Sequence, residues 1–191
     1  MERTEIIQSL INKINAKKYL EIGVGPGHNF NNIKCEYKVC VEPNPMVEVT
    51  FIMTSDDFFT QNKEFFDVIF IDGLHESEQV YRDIQNSLKI LNEGGFIVCH
   101  DMSPYCEIIQ RYPQAQLGEW TGDCWKAWVK IRSERSDLSM YVVDSDYGCG
   151  VISNGEQSLI TIPNELTWET LDNDRVNLLN LISVQDFKNK L

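Results

Sequence analysis

The chain has 191 residues, 42% of them hydrophobic and 24% charged, and a formal net charge of −12 at pH 7. That length suits one well-buried core, and no apolar run approaches the roughly 18 residues of a membrane span. The acidic balance, without any cluster of Lys and Arg, argues against a nucleic-acid partner, because phosphate binding is driven by concentrated positive charge.

Cys35, Cys40, Cys99, Cys106, Cys124 and Cys149 contain no C-x-x-C pair. They read as reduced thiols rather than a disulfide framework or a zinc site. The opening MERTEIIQSLINKI mixes acids among its apolar residues. It lacks the unbroken core of a secretion signal, so a cytoplasmic compartment is expected.

From the start, Ile6, Ile7, Leu10, Ile11 and Ile14 recur at helical spacing and predict an amphipathic helix within 1–16. A core over 17–155 follows, with strands at 18–22, 37–41 and 49–53 and a crossover at EPNPM too proline-rich for a long helix. Phe66 to Ile71 is a continuous apolar run, the mark of a parallel strand buried on both faces, and Asp72-Gly73 ends it. Val80, Ile84, Leu88 and Leu91 share a helical face that Gly94-Gly95 should stop, and Phe96 to Cys99 is the fifth strand. Asp123 is placed to cap a helix carrying Trp125, Trp128, Val129 and Arg132. Aromatic residues at that spacing, with Trp120, either fill core or wall an acceptor pocket. MYVVD and GCGVIS, joined by a polar turn at Ser145-Asp146, predict an antiparallel pair. A helical extension over 156–191 shows a late apolar pattern at Leu178, Leu181 and Ile182. The expectation is a single domain over 1–191. It is an α/β fold with a doubly wound, mostly parallel seven-stranded sheet and a C-terminal antiparallel pair.

The segment YLEIGVGPG runs from a strand into Gly23, Gly25 and Gly27, and the next strand ends on Glu42, 19 residues after Gly23. An acid at roughly that distance accepts hydrogen bonds from ribose hydroxyls, so the two pieces describe a socket for an adenosyl ligand. A dinucleotide fingerprint is excluded, because His28 falls where its third glycine belongs. In open α/β sheets ligands bind beyond the C-terminal ends of the strands. His28, His75 and His100 all fall there, as do Asp72, Asp101 and the pair Asp56-Asp57.

The order E-x-G-x-G-x-G, beginning at Glu21, resembles motif I of the class I S-adenosylmethionine-dependent methyltransferases. Residues 66–102, FDVIFIDGLHESEQVYRDIQNSLKILNEGGFIVCHDM, resemble the small, often divalent-metal-assisted O-methyltransferases related to the catechol, sugar and antibiotic types. The resemblance implies S-adenosylmethionine as cofactor, with Glu21, Gly23, Gly25, Gly27, Glu42 and Asp72 around it. It also sets Asp56 near the adenine amino group, unless Asp56 caps the helix that follows. It further implies Asp72, Asp101 and His100 as ligands of Mg²⁺ or another divalent ion, and His75, three residues past Asp72, as the base that takes the acceptor's proton. Imidazole at His100 suits Mn²⁺, Fe²⁺ or Zn²⁺ better than Mg²⁺.

The cofactor carries its own reactive methyl, so the protein has only to align an acceptor oxygen behind it and remove a proton. The expected activity is therefore methyl transfer to a hydroxyl of a small molecule, a sugar or polysaccharide precursor first among them. Asp72, His75 and His100 are the expected catalytic residues. The competing readings are a non-catalytic adenosyl-binding module and a related transfer such as aminopropyl transfer. Oligomeric state is left open.

Overall fold

The computed structural model describes residues 1–162 and 164–191. Helix α1 (Arg3–Ile14) starts on a capping box between Glu2 and Glu5 and stops at Asn15, which turns left-handed at φ 52°. The parallel strands β1 (Lys18–Ile22), β2 (Tyr37–Val41), β3 (Phe66–Ile71) and β4 (Leu91–Cys99) lie in the order β2-β1-β3-β4, with the short helix α2 (His28–Asn32) linking β1 to β2. The sheet continues from β4 through β6 (Cys149–Asn154), β5 (Leu138–Val143) and β7 (Leu181–Ile182). Since β6 is antiparallel to β4 and β5, while β7 is parallel to β5, β6 alone among these strands runs backwards.

Side chains alternate across the sheet and divide the core in two. Tyr19, Val68, Phe70, Val98 and Val151 pack with α1 and with Phe187 of α7 (Val184–Lys190). Leu20, Ile69, Ile71, Ile97 and Ile152 pack with α3 (Ser55–Gln61), α4 (Ser77–Ile90), α5 (Cys124–Glu134) and α6 (Trp168–Leu179) on the other face. Trp125 and Trp128 belong to that second core, fully buried. The indole of Trp128 lies over Gly150, where an added Cβ would come 2.4 Å from its ring.

Several elements depart from expectation. The strand expected at 49–53 is reduced to one parallel bridge, Val41 to Phe51, and the seventh strand is Leu181–Ile182, residues whose spacing suggested a continued helix. Gly94-Gly95 does not stop α4, which ends at Ile90. The pair instead lies inside β4, at a register shift between Phe66 and Val68 of its neighbour. A Cβ on Gly95 would sit 2.6 Å from the Asp67 carbonyl. Asp123 stands before α5 but makes no cap there. Its carboxylate accepts from the N–H of Ser77 at 2.7 Å and so caps α4. No helix among the described residues is long and apolar enough to cross a membrane.

The strand order reverses between β1 and β3, and there the C-terminal ends of these two strands touch. Asp72 donates its N–H to the Ile22 carbonyl at 2.8 Å, and Gly23, at φ 83°, follows. A Cβ on Gly23 would lie 2.1 Å from the Asp72 carbonyl oxygen. This contact is backbone against backbone, with no flexible side chain to yield. Gly23→Ala is therefore expected to cost about 2–5 kcal/mol, from left-handed strain plus overpacking, measured by denaturant unfolding. Gly25→Ala, whose Cβ meets nothing within 4 Å, keeps only the left-handed strain of φ 48° and should cost less in the same experiment.

Candidate functional site

A cleft of about 740 Å³ opens over the ends of β1 and β3. The glycine turn after β1, Glu42 after β2, Asp72 and His75 after β3, and His100 and Asp101 after β4 all line it. The first turn of α1, residues 119–121 and Tyr147 close its sides.

On the β1 side, the open space at Gly25 is where a ligand can approach the backbone. The Glu42 carboxylate accepts from the N–H of Val24 at 3.1 Å and of Asn44 at 3.0 Å, which fixes it at the rim before any ligand arrives. Glu21 is buried. Its Oε2 accepts from Tyr19 Oη at 2.5 Å and Asn29 Nδ2 at 2.8 Å, while Asn29 Oδ1 accepts from Thr4 Oγ1 at 2.7 Å. Burial pushes the Glu21 carboxyl up to about 7 despite those two donors. Asp56 does not line the cleft. It sits in the first turn of α3, 3.6 Å from Arg82, and Thr54 provides the cap of that helix.

On the β3–β4 side, two imidazoles are packed between carboxylates. His75 Nδ1 lies 3.0 Å from the Trp120 carbonyl and 3.2 Å from Asp101 Oδ2, and its Nε2 lies 3.4 Å from Asp72 Oδ1. A carbonyl only accepts, so Nδ1 carries the hydrogen and Nε2 is left to exchange a proton. His100 Nδ1 lies 3.1 Å from Asp101 Oδ1 and 3.3 Å from Asp72 Oδ1, and its Nε2 3.3 Å from Asp146 Oδ1. That last contact lacks hydrogen-bond geometry, and Nε2 is buried without a partner. Burial opposes charge on both rings, but the carboxylates outweigh it, so His75 is raised and His100 raised strongly. Burial likewise opposes the ionised Asp72, yet the two histidines hold it well below the usual carboxylate range. Asp101 reaches this position with φ 64°, an uncommon conformation for a residue with a side chain.

Arg3 and Asp146 complete the cluster, and neither stood out in the sequence. Arg3 Nε donates to Asp146 Oδ2 at 3.0 Å and Nη1 donates to Asp72 Oδ2 at 2.9 Å. Asp146 is a half-buried residue with a covered carboxylate; burial opposes its charge, yet His100 and Arg3 hold it well below its ordinary range. Its signal in the sequence was the polar turn at Ser145-Asp146, which named a turn and no role; in the structure Asp146, Tyr147 and Gly148 are left-handed in succession between β5 and β6. Arg3 looked like one more polar residue on a helix.

Aromatic residues line the outer part. Trp120 packs on His75 with ring centroids 5.0 Å apart, and Tyr147 and Tyr105 both donate their hydroxyls to Glu119. Of the three tryptophans weighed as pocket or core, Trp120 lines the cleft and the other two are core.

Among the described residues, two groups of side chains bring ligand atoms within 4.8 Å of one another, Asp72 with His75 and Asp101, and His100 with Asp146 and Cys149. As they stand, neither fits a divalent ion. Arg3 holds Asp72 Oδ2, both imidazoles face Asp72 Oδ1, and Arg3 also grips Asp146, so a dication would have to displace a guanidinium from its carboxylates.

Residues 36–102 match the family model described as a methyltransferase domain. No curated protein matches the chain. Among solved structures, the O-methyltransferase from Bacillus cereus in complex with SAH aligns with a TM-score of 0.59 at 15% identity, over 78% of this chain and 79% of that one. The O-methyltransferase TomG from Streptomyces achromogenes, in complex with SAM, aligns at 0.60 and 13% identity over 80% and 79%. The methyltransferase MycE of mycinamycin biosynthesis, in complex with Mg, SAH and mycinamycin VI, aligns at 0.51 and 14% over 84% and 50%. The fold is that of the class I methyltransferases, in agreement with the resemblance of residues 66–102.

The buried Glu21 makes stability depend on pH. Its folded pKa, about 7, lies above the ordinary 4.5, so its contribution is whole below pH 4.5 and is lost as pH rises through 7. Glu21→Gln should thus be more stable than the parent at pH 8, by up to about 3 kcal/mol, with the gain gone near pH 4. Urea titrations at the two pH values measure it.

Proposed function

We propose that this chain, with the class I methyltransferase fold and a methyltransferase-domain match over 36–102, transfers the methyl group of S-adenosylmethionine to a hydroxyl of a small acceptor. The carrying observation is that one cleft holds both the glycine turn with Glu42 and the cluster of Asp72, His75, His100 and Asp101. Gly25 leaves room for the cofactor's amino-acid end, buried Glu21 stands near it to meet the ammonium, and Glu42 takes the ribose hydroxyls. Support for this cofactor comes from SAH and SAM in the related structures from Bacillus cereus and Streptomyces achromogenes.

The acceptor enters between Trp120 and Tyr147, with its hydroxyl directed at His75 Nε2. That nitrogen takes the proton as the oxygen attacks the sulfonium methyl, and Asp72 and Asp101 stabilise the imidazolium that results. A sugar or polysaccharide precursor is the leading acceptor class. Aromatic faces beside acidic oxygens, as at Trp120, Tyr147 and Glu119, suit an acceptor with apolar C–H faces and several hydroxyls.

Calorimetry should detect S-adenosylmethionine and S-adenosylhomocysteine but not NAD, and Glu42→Ala should weaken binding by about 1–3 kcal/mol. Tight NAD binding without an adenosylhomocysteine signal would sink the reading. A non-catalytic module would bind the cofactor yet form no adenosylhomocysteine across a panel of hydroxylated acceptors.

The His75 assignment has a pH signature. The base works only when neutral and its pKa is raised above 6.5, so turnover should fall with acidity along a limb centred above pH 6.5. His75→Ala should lose about 10²–10⁴-fold at neutral pH, with cofactor affinity nearly unchanged and a smaller loss at high pH. Full activity of that variant with a true acceptor refutes the base role.

A further inference from the structure

Arg3 is gripped from several directions. Its backbone N–H donates to Asp146 Oδ2 at 2.8 Å, and its side chain forks onto the same carboxylate, Nε to Oδ2 at 3.0 Å and Nη2 to Oδ1 at 3.2 Å. The remaining arm, Nη1, donates to Asp72 Oδ2 at 2.9 Å. The residue belongs to the first turn of α1, and Ile6, Ile7, Leu10 and Ile11 of that helix are at most 4% exposed. A rigid, docked element thus delivers a fixed cation to the end of β3.

Guanidinium suits such a place. It stays charged at any working pH, and its planar donors match a carboxylate edge to edge. A divalent ion would need carboxylate oxygens at about 2.0–2.6 Å. At Asp72 one oxygen is held by Arg3 and the other is faced by both imidazoles, while at Asp146 both oxygens are bound by Arg3. A dication added here would also face Arg3 at close range.

We propose that Arg3 is the resident cation of the acceptor side of this cleft, holding Asp72 where a divalent ion would otherwise bind, so that the chain transfers methyl groups without a metal. Arg3 is on this view a positioning residue. It fixes the Asp72 carboxylate, and Asp72 in turn orients His75. The kinetic part of the proposal rests on the methyltransferase reading, but the metal-binding part does not.

The test follows Mn²⁺ binding to the purified chain by electron paramagnetic resonance, alongside turnover with and without EDTA. Wild type should show no saturable Mn²⁺ site below about 0.1 mM and no change with chelator. Arg3→Gln frees the oxygens of Asp72 and Asp146. It should gain an Mn²⁺ site and lose turnover by about 10-fold or more, with the cofactor's KM unchanged. Arg3→Lys should keep part of the turnover and no site. Thermal unfolding checks that the variants fold, and if Arg3→Gln does not, Asp146→Asn, which removes the fork, is judged by the same two measurements. A saturable wild-type site with turnover lost on chelation overturns the proposal, and so does Arg3→Gln turning over as wild type. If no variant forms adenosylhomocysteine with any acceptor, the methyltransferase reading has failed, and the Mn²⁺ titration still decides whether Arg3 fills the cation's place.

Discussion

The end of β3 is the joint on which the rest of the molecule depends. The carbonyl of Asp72 packs against Gly23, which sets the path of the glycine turn, and the Asp72 carboxylate faces Arg3, His75 and His100. One residue thereby ties the shape of the glycine turn to the electrostatics of the histidine–carboxylate cluster. Partly buried charges are tolerable only while paired, and removing one member of a buried pair typically costs about 3–5 kcal/mol. The cluster is consequently stiff, because a small shift of any member leaves a neighbour unpaired.

Its charges also offset one another. Asp72, Asp101 and Asp146 face Arg3 and two imidazoles, so the strongly acidic chain gathers three of its carboxylates in one knot of paired groups. Catalytic electrostatics work best when the dipoles and charges are set before the substrate arrives. Here they are set by contacts among five segments of chain, and the Val24 and Asn44 amides do the same for Glu42.

What the sequence made legible was whatever depends on local periodicity. The buried run Phe66 to Ile71, the α1 stripe and the polar residues at strand ends all follow from the rule that side chains alternate or recur every turn. Asp72, His75, His100 and Asp101 could be placed together because parallel strands put their ends on one edge. Two kinds of feature escaped. Leu181-Ile182 carries helical spacing but pairs with β5, since a two-residue strand is decided by the neighbour it meets. Arg3 and Asp146 were invisible because neither lies at the end of a parallel strand. Arg3 arrives from a helix and Asp146 from the hairpin that leads into the reversed strand β6. Asp123 misled in the same way: its position named one helix, while its carboxylate caps another.

The bond between Arg3 and Asp146 joins residues 143 positions apart. Loop-closure entropy must be met before such a contact stabilises anything, so distant pairings form late in folding. A chain leaving the ribosome makes α1, β1 and β3 long before the β5–β6 turn exists. Until Asp146 has been made, the carboxylate of Asp72 lacks the fork that steadies its guanidinium partner. The cleft's charged knot is thus tied late, and a nascent chain that already holds β1 to β4 still lacks it.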